Sequence, residues 1–428
     1  AQPWSGEFPS DSDPACWNLQ QLNPCLSEET PAEYLKPHWR PNLVVLSLTA
    51  GGEPSASLAA RLGMQLLEEK VLKTTGDRLV LMLRLDTGTP LDNLVDQLQA
   101  EPGVLQAQKD FAYMTMADST KALFSSATVM SASLGDPLNG FNYGPGMTGS
   151  DRLQQRYRGD LVQVAVIDTG VDTTHPELLN TVIYQQDYTG HGYTADAHGT
   201  AVAAIIAAAR NNGVGASGVA PEVKILSFKA CHPRQSNGLA AQCWSSSIIE
   251  ALDDALSRDI PLINMSLGGP PSPLLQRMLE VAAQRGKLVL AAAGNGGPNA
   301  RPVYPAALPE SLAVTAVGTD RRLYRQANRG DYIDVAAPGV DIITAGPGQG
   351  QPVVSGTSMA TAHATGVAAL LLQADPKLAP MILREVLESS SDDLGESGQD
   401  PLFGRGLLNA CKGASRVADV SILCGGAL

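Results

Sequence analysis

The stretch LVQVAVID, residues 161 to 168, decides how the rest of the chain is read. Apart from Gln163 it is apolar from Leu161 to Ile167, and it ends on a carboxylate, Asp168. A strand with one wet face would alternate. A run that is apolar at both parities is buried on both faces, as in a parallel sheet between helices. Three later stretches repeat the form, EVKILSFKA (222–230), PLINMSLGG (261–269) and GKLVLAAAGN (286–295), and helical stretches such as SSSIIEALDDALS (245–257) and PLLQRMLEVAAQR (273–285) lie between them. The pattern predicts an α/β fold, a parallel sheet covered by helices on both faces. Reacting groups in such sheets gather at the carboxyl ends of strands. That rule singles out Asp168, Ser266 and Asn295.

Upstream the pattern is different. LVVLSL (43–48), SASLAARLG (55–63), QLLEEKVLK (65–73), DRLVLMLRLD (77–86), PLDNLVDQLQAE (90–101) and VLQAQKDFAYM (104–114) read as β-α-β-β-α-β. This is the ferredoxin-like split βαβ, which predicts a small α+β domain over 43–116. Residues 1–42, rich in Pro, Ser, Trp and Glu, read as an irregular N-terminal extension, residues 117–135 as a linker, and 136–428 as the α/β domain.

The chain has 428 residues, 44% hydrophobic and 17% charged, enough for two cores. Its net charge of −13, with no basic stripe, argues against nucleic acid as a partner. No apolar run is long enough for a bilayer crossing. The opening Ala1-Gln2 is read as a new N-terminus left by signal removal. The six cysteines fall into three local pairs, which predicts Cys16–Cys25, Cys231–Cys243 and Cys411–Cys424 disulfides. Zinc is the rival, but no CxxC or flanking histidine pair supports it. Three such staples imply an oxidising compartment, so secretion to the periplasm or the exterior is expected.

A second stretch poses the functional question. In GTSMATAHATG (356–366), Ser358 stands at a helix start, where serine commonly caps. It could instead be a nucleophile. That role needs a base, a carboxylate to orient the base, and donors for an oxyanion. The chain supplies candidates: Asp168 in VIDTGVD, His198 opening HGTAVAAIIAAA, and Asn295 in AAAGNGG. Each alone is a common structural residue. The four together, in the order Asp, His, Asn, Ser, are specific.

With these motifs in hand, residues 136 to about 412 resemble the subtilisin-like serine peptidases, the subtilases, through AVIDTGVDTTHPEL, HGTAVAAIIA, NMSLGGP, AAAGN and VSGTSMATAHATGVAALL. The resemblance implies a secreted serine endopeptidase, active as a monomer on protein or peptide substrates with no cofactor needed for the chemistry. It implies Asp168 as orienter, His198 as base then acid, Ser358 as nucleophile, and the Asn295 amide with the Ser358 N–H as oxyanion hole. Ser266, Leu267 and Gly268 become the edge that pairs with an extended substrate. Ala293, Gly294 and Val303 line the primary pocket, with Val303 at its base. Two positions depart from the family pattern, Ala201 where histidine is frequent and Ala362 where proline is frequent, and neither supplies a reacting group. A silent subtilase-fold binding scaffold is the rival; the four intact residues argue against it.

By the same resemblance, residues 43–116 are an inhibitory chaperone propeptide whose tail, Tyr113 to Met116, fills the substrate subsites, with processing at Met116–Ala117. Met116 and Val303 together suggest a medium apolar residue before the scissile bond. The run ARNNGVGASGVAP (209–221) resembles a calcium-wrapping loop, with ligands Glu177, Arg210, Asn212, Val214 and Ala216; a metal-free glycine turn is the alternative. His175 and His363 are expected to be structural, His191 solvated, and the stapled insertion between Cys231 and Cys243 to border the cleft.

Overall fold

In a computed structural model of the chain, residues 39–119, 135–236 and 238–424 are described. The predicted Cys16–Cys25 bridge and most of the N-terminal extension lie outside them.

The first unit runs β1 (Trp39–Leu48), α1 (Ser55–Arg61), β2 (Met64–Val71), β3 (Arg78–Arg84), α2 (Leu91–Gln99) and β4 (Val104–Thr115). Its sheet order is β2-β3-β1-β4, antiparallel throughout. Val44, Leu46 and Leu48 of β1 face Leu58, Leu91 and Leu98 in one small core. Pro54 and Pro90 stand immediately before α1 and α2. There a missing N–H costs nothing and the ring presets φ.

Two features differ from the sequence reading. β1 begins at Trp39, inside the stretch expected to be irregular. The segment read as linker opens with a short strand, β5 (Asp118–Ser119).

The second unit follows two short helices, α3 (Tyr143–Thr148) and α4 (Ser150–Leu153). Then come β6 (Gln163–Asp168), β7 (Val182–Asp187), α5 (Ala197–Ala207), β8 (Lys224–Lys229), β9 (Cys231–Pro233), β10 (Ala241–Trp244) and α6 (Ser245–Ser257). Next are β11 (Leu262–Met265), β12 (Leu267–Gly268), α7 (Pro273–Gln284), β13 (Leu288–Ala292), β14 (Ser311–Val317), β15 (Val335–Pro338), β16 (Ile342–Ile343) and β17 (Val353–Ser355). The long α8 (Thr357–Ala374) precedes α9 (Pro380–Ser389), α10 (Ala410–Val417) and α11 (Ser421–Cys424).

The main sheet has the order β15-β14-β13-β11-β6-β8-β7, and every pair in it is parallel. β6 explains its own sequence. Val164 and Val166 pack into the core that holds α8, while Ala165 and Ile167 pack into the core that holds α6 and α7. Both parities are buried because both faces carry helices. β7, β14 and β15 belong to this sheet but were not singled out in the sequence.

The Cys231–Cys243 and Cys411–Cys424 bridges are present. The first joins β9 to β10, which pair antiparallel. No helix among the described residues is long and apolar enough to cross a membrane.

Candidate active site

Three separate elements bring three side chains together. Asp168 is the last residue of β6, His198 the second residue of α5, and Ser358 the second residue of α8. The Asp168 Oδ1 lies 2.7 Å from His198 Nδ1, and His198 Nε2 lies 3.0 Å from Ser358 Oγ. All three residues are fully buried. With a carboxylate at Nδ1, the imidazole carries its proton there and offers Nε2 as acceptor. Gly199 makes this approach possible. A Cβ on it would sit 2.4 Å from the Thr169 carbonyl oxygen, so any side chain would push α5 away from the end of β6. The Gly199 N–H donates to Thr169 Oγ1 at 2.8 Å and ties the two elements.

Ser358 is not the cap of its helix. Gly356 holds the N-cap position, at φ 146°, and makes no side-chain cap bond. The hydroxyl of Ser358 is thereby free of backbone duty within its own helix. It also lies 2.9 Å from the Ser266 carbonyl oxygen, a second acceptor within reach of its one proton. Ser266 Oγ in turn donates to the Ser358 carbonyl at 3.1 Å, and Asn264 Nδ2 donates to Ser266 Oγ at 3.0 Å.

Asn295 follows the end of β13. Its Oδ1 accepts from the N–H and hydroxyl of Thr357, at 3.1 and 2.9 Å. That orientation turns its Nδ2 toward the cleft. A Cβ built on Gly356 would lie 2.9 Å from Asn295 Nδ2 and 2.4 Å from the Met116 carbonyl oxygen, so a glycine keeps the space between them open.

The end of the first unit occupies this cleft. β4 pairs antiparallel with β12 on one side (Leu267↔Thr115, Gly268↔Met114) and with β10 on the other (Gln242↔Met114, Cys243↔Tyr113, Trp244↔Ala112). The Met116 N–H lies 3.0 Å from Ser358 Oγ and 3.2 Å from the Ser266 carbonyl. The Ser358 N–H donates to the Met116 carbonyl oxygen at 2.9 Å. Beyond the Met116–Ala117 bond, β5 pairs antiparallel with β17 (Ser355↔Asp118, Val354↔Ser119).

The Met116 side chain packs with Ala291, Ala292, Val303, Ala306 and partly buried Tyr332. A Cβ on Gly268 would meet Met116 Cε at 2.6 Å and Val303 Cγ2 at 3.0 Å, so Gly268 forms one wall of this pocket. Ala293 and Gly294 support it from behind. The Ala293 carbonyl accepts from the Tyr332 hydroxyl at 2.6 Å, and the Gly294 N–H donates to Thr357 Oγ1 at 3.1 Å. Tyr113 is fully buried, and its hydroxyl donates to the Pro270 carbonyl at 2.8 Å. Burial pushes that phenol well above its usual range, so it stays a neutral donor.

Several partners escaped the sequence reading. Thr357 and Tyr332 act on the site through contacts between distant segments. The fully buried Lys229 pairs in register with Asp168 and forms an ion pair with Asp196, just ahead of His198. Only the lysine at the end of an apolar strand hinted at it. Docking of the first unit also uses carboxylates that no motif marked. The buried Asp110 accepts from the N–H of Ser246 at 2.9 Å at the start of α6. Asp253 accepts from the N–H groups of Lys73 and Thr74 at 2.8 and 2.9 Å.

The residues named for calcium gather only in part. Asn212 Nδ2 donates to Glu177 Oε2 at 3.2 Å, while Asn212 Oδ1 accepts from the Val214 N–H at 2.9 Å. The loop is held by a residue the sequence reading did not name. Asp136 accepts from the N–H groups of Asn211, Asn212 and Gly213, at 2.8, 2.8 and 3.2 Å. Glu177 Oε1 is buried with no hydrogen-bond partner among the described residues. Burial pushes the Glu177 carboxyl up to about 8. A buried carboxylate without a counter-charge fits a cation in the loop. The described residues contain no cluster of three or more His, Cys, Asp or Glu side chains suited to a metal, so loop carbonyls would have to supply the other ligands.

Among the remaining histidines, His175 Nδ1 accepts from the Glu177 N–H at 3.1 Å. His363 is buried, lies 2.9 Å through Nδ1 from the Met359 carbonyl, and is pushed down to about 4 by burial. His191 is exposed and lies against the His232 ring, with centroids 4.4 Å apart.

The model of the Subtilase family matches residues 159–406. Subtilisin E of Bacillus subtilis is 38% identical over 261 residues, which are 60% of this chain and 66% of that protein. A subtilisin of Bacillus pumilus is 38% identical over 261 residues, 91% of its own length. The solved structure of fervidolysin from Fervidobacterium pennivorans, a keratinolytic enzyme related to subtilisin, superposes with a TM-score of 0.73. It covers 87% of this chain and 61% of fervidolysin at 24% identity, a likeness of fold.

Proposed function

The chain belongs to the subtilase family of serine peptidases, and we propose that it is a secreted serine endopeptidase made as a zymogen, with residues 43–116 as its inhibitory prodomain. The observation that carries this reading is the Ser358 N–H donating to the Met116 carbonyl oxygen while His198 Nε2 stands 3.0 Å from Ser358 Oγ.

The chemistry follows from these positions. His198 Nε2 takes the Ser358 proton as Oγ adds to the carbonyl carbon of the residue before the scissile bond. Asp168 keeps Nδ1 protonated and stabilises the imidazolium that forms. Negative charge grows on the carbonyl oxygen, which the Ser358 N–H and the Asn295 amide receive. His198 then gives its proton to the leaving amine, the C–N bond breaks, and an acyl-enzyme remains. Water, deprotonated by His198, attacks the ester, and the carboxylate product and Ser358 are released. In the first turnover the bond would be Met116–Ala117.

Once cut, the prodomain would still inhibit. β4 keeps its two-sided pairing with β10 and β12, and the buried Met116 contributes about 1.5–3 kcal/mol of apolar burial. The reading favours extended substrates with a medium, unbranched apolar residue before the cut and an aromatic residue three positions earlier. We further assign a structural calcium ion to the loop at 210–216, with the Glu177 carboxylate as its charged ligand.

The direct test is labelling with a serine-reactive phosphonate, read by intact mass beside Ser358→Ala. One adduct on wild type and none on the variant is expected, with the wild-type chain split after Met116 and the variant whole. Failure of the label after proteolytic removal of residues 39–116 would favour a silent binding scaffold.

A further inference from the structure

The stapled loop between Cys231 and Cys243 does more than border the cleft. At Gln242 and Met114 it pairs with β4 through the main chain, and one residue further the pattern changes. There the hydroxyl of Thr115 stands in for a backbone group. Thr115 Oγ1 donates to the Leu239 carbonyl at 2.8 Å and accepts from the Ala241 N–H at 2.9 Å. Thr115 is 7% exposed, and on its other side it pairs with Leu267. Both hydrogen-bonding capacities of the hydroxyl are thus used, and both partners are main-chain groups.

Those partners are held in place. Cys243 is bonded to Cys231, β9 pairs with β10, and the Arg234 N–H donates to the Ala240 carbonyl at 3.0 Å. Leu239 and Ala241 flank that last bond, so their carbonyl and N–H are set before any substrate arrives. A preformed donor and acceptor in a sheltered site discriminate strongly, because a side chain without a hydroxyl leaves both unpaired.

We propose that this protease selects a β-hydroxyl residue, threonine or serine, at the second position before the scissile bond, read by the Leu239 carbonyl and the Ala241 N–H of the disulfide-closed loop. The proposal rests on the reading of residues 113–117 as a substrate-like segment. Valine is the informative competitor, since it matches threonine in shape and lacks only the hydroxyl.

The test uses the processed enzyme, its active fraction titrated with the phosphonate, and hexapeptides Tyr-Met-Xaa-Met-Ala-Asp with Xaa as Thr, Ser, Val or Ala. The expected kcat/KM for Thr and Ser exceeds that for Val by about 10- to 100-fold. In the Cys231→Ser, Cys243→Ser double variant, measured on its titrated fraction, the Thr-to-Val ratio should fall toward one. Val cleaved as fast as Thr, or a ratio unchanged without the staple, overturns the proposal. An enzyme that takes the phosphonate but cuts no Met–Ala bond in any peptide overturns instead the substrate-like reading beneath it.

Discussion

The N–H of Ser358 donates to the carbonyl oxygen of Met116 at 2.9 Å, so the residue proposed to attack also holds the oxygen it would polarise. The donor proposed beside it, Asn295 Nδ2, is oriented by Thr357, which occupies the Asn295 carbonyl oxygen twice. An amide held this way costs no reorganisation during reaction. Asn295→Ala is therefore expected to lower kcat by about 10²- to 10³-fold with KM within a few-fold; subtilisin itself supplies that magnitude. Steady-state kinetics on a Tyr-Met-Thr-Met-Ala-Asp peptide check it, and an equal loss in KM would place Asn295 in ground-state binding instead.

Pocket shape gives a second expectation. A valine at Gly268 would intrude on the space now shared by Met116 Cε and Val303 Cγ2. Gly268→Val should lower the ratio of kcat/KM for Met over Ala before the cut by about tenfold or more, roughly the free energy of one or two methylenes. Competition between the two peptides in one tube, read by mass spectrometry, measures the ratio directly.

Glu250 gives the contact between the two units an expected dependence on pH. Burial, with Glu68 adding repulsion, pushes its carboxyl from 4.5 up to about 7, while Lys70 stands 4.0 Å away. A raised carboxyl pKa means that the folded form binds the proton more tightly. Stability is fully present below about pH 4.5 and is lost as pH rises toward 7. Glu250→Gln carries no charge to bury. In a Ser358→Ala background it should gain about 1–3 kcal/mol over its parent at pH 8 and nothing at pH 4. Urea melts at the two pH values decide.

The Glu177 loop is tested by chelation. Excess EDTA should lower the melting temperature and calcium should restore it, because a ligand that binds only the folded state stabilises by mass action. Glu177→Gln removes the charged ligand and should abolish the response. A wild-type melting temperature indifferent to both EDTA and calcium would leave the loop as a metal-free turn around Asp136.

Much of the site was legible because its residues sit in local signals. Asp168 closes an apolar strand, His198 and Ser358 lie at helix starts, and Asn295 follows a strand before glycines. Each signal depends on neighbours within a few residues. Thr357, Tyr332 and Lys229 were not legible, since their roles exist only across segments far apart in the chain. That Ser358 stands at a helix start without capping it has a local reason. Gly356, at φ 146°, starts the helix two residues before Ser358, and a positive φ is invisible in a string of letters.

By itself the sequence determined the parallel sheet and the order of the residues proposed to react. Strands apolar at both parities have to be buried on both faces, and the motif residues follow the strand and helix ends wherever those fall. The tertiary structure alone decided which oxygen meets the Ser358 N–H, which groups meet the Thr115 hydroxyl, and that β4 lies between β10 and β12. These are hydrogen bonds between segments more than a hundred residues apart. Their existence depends on distances of about 3 Å that only the packed molecule sets.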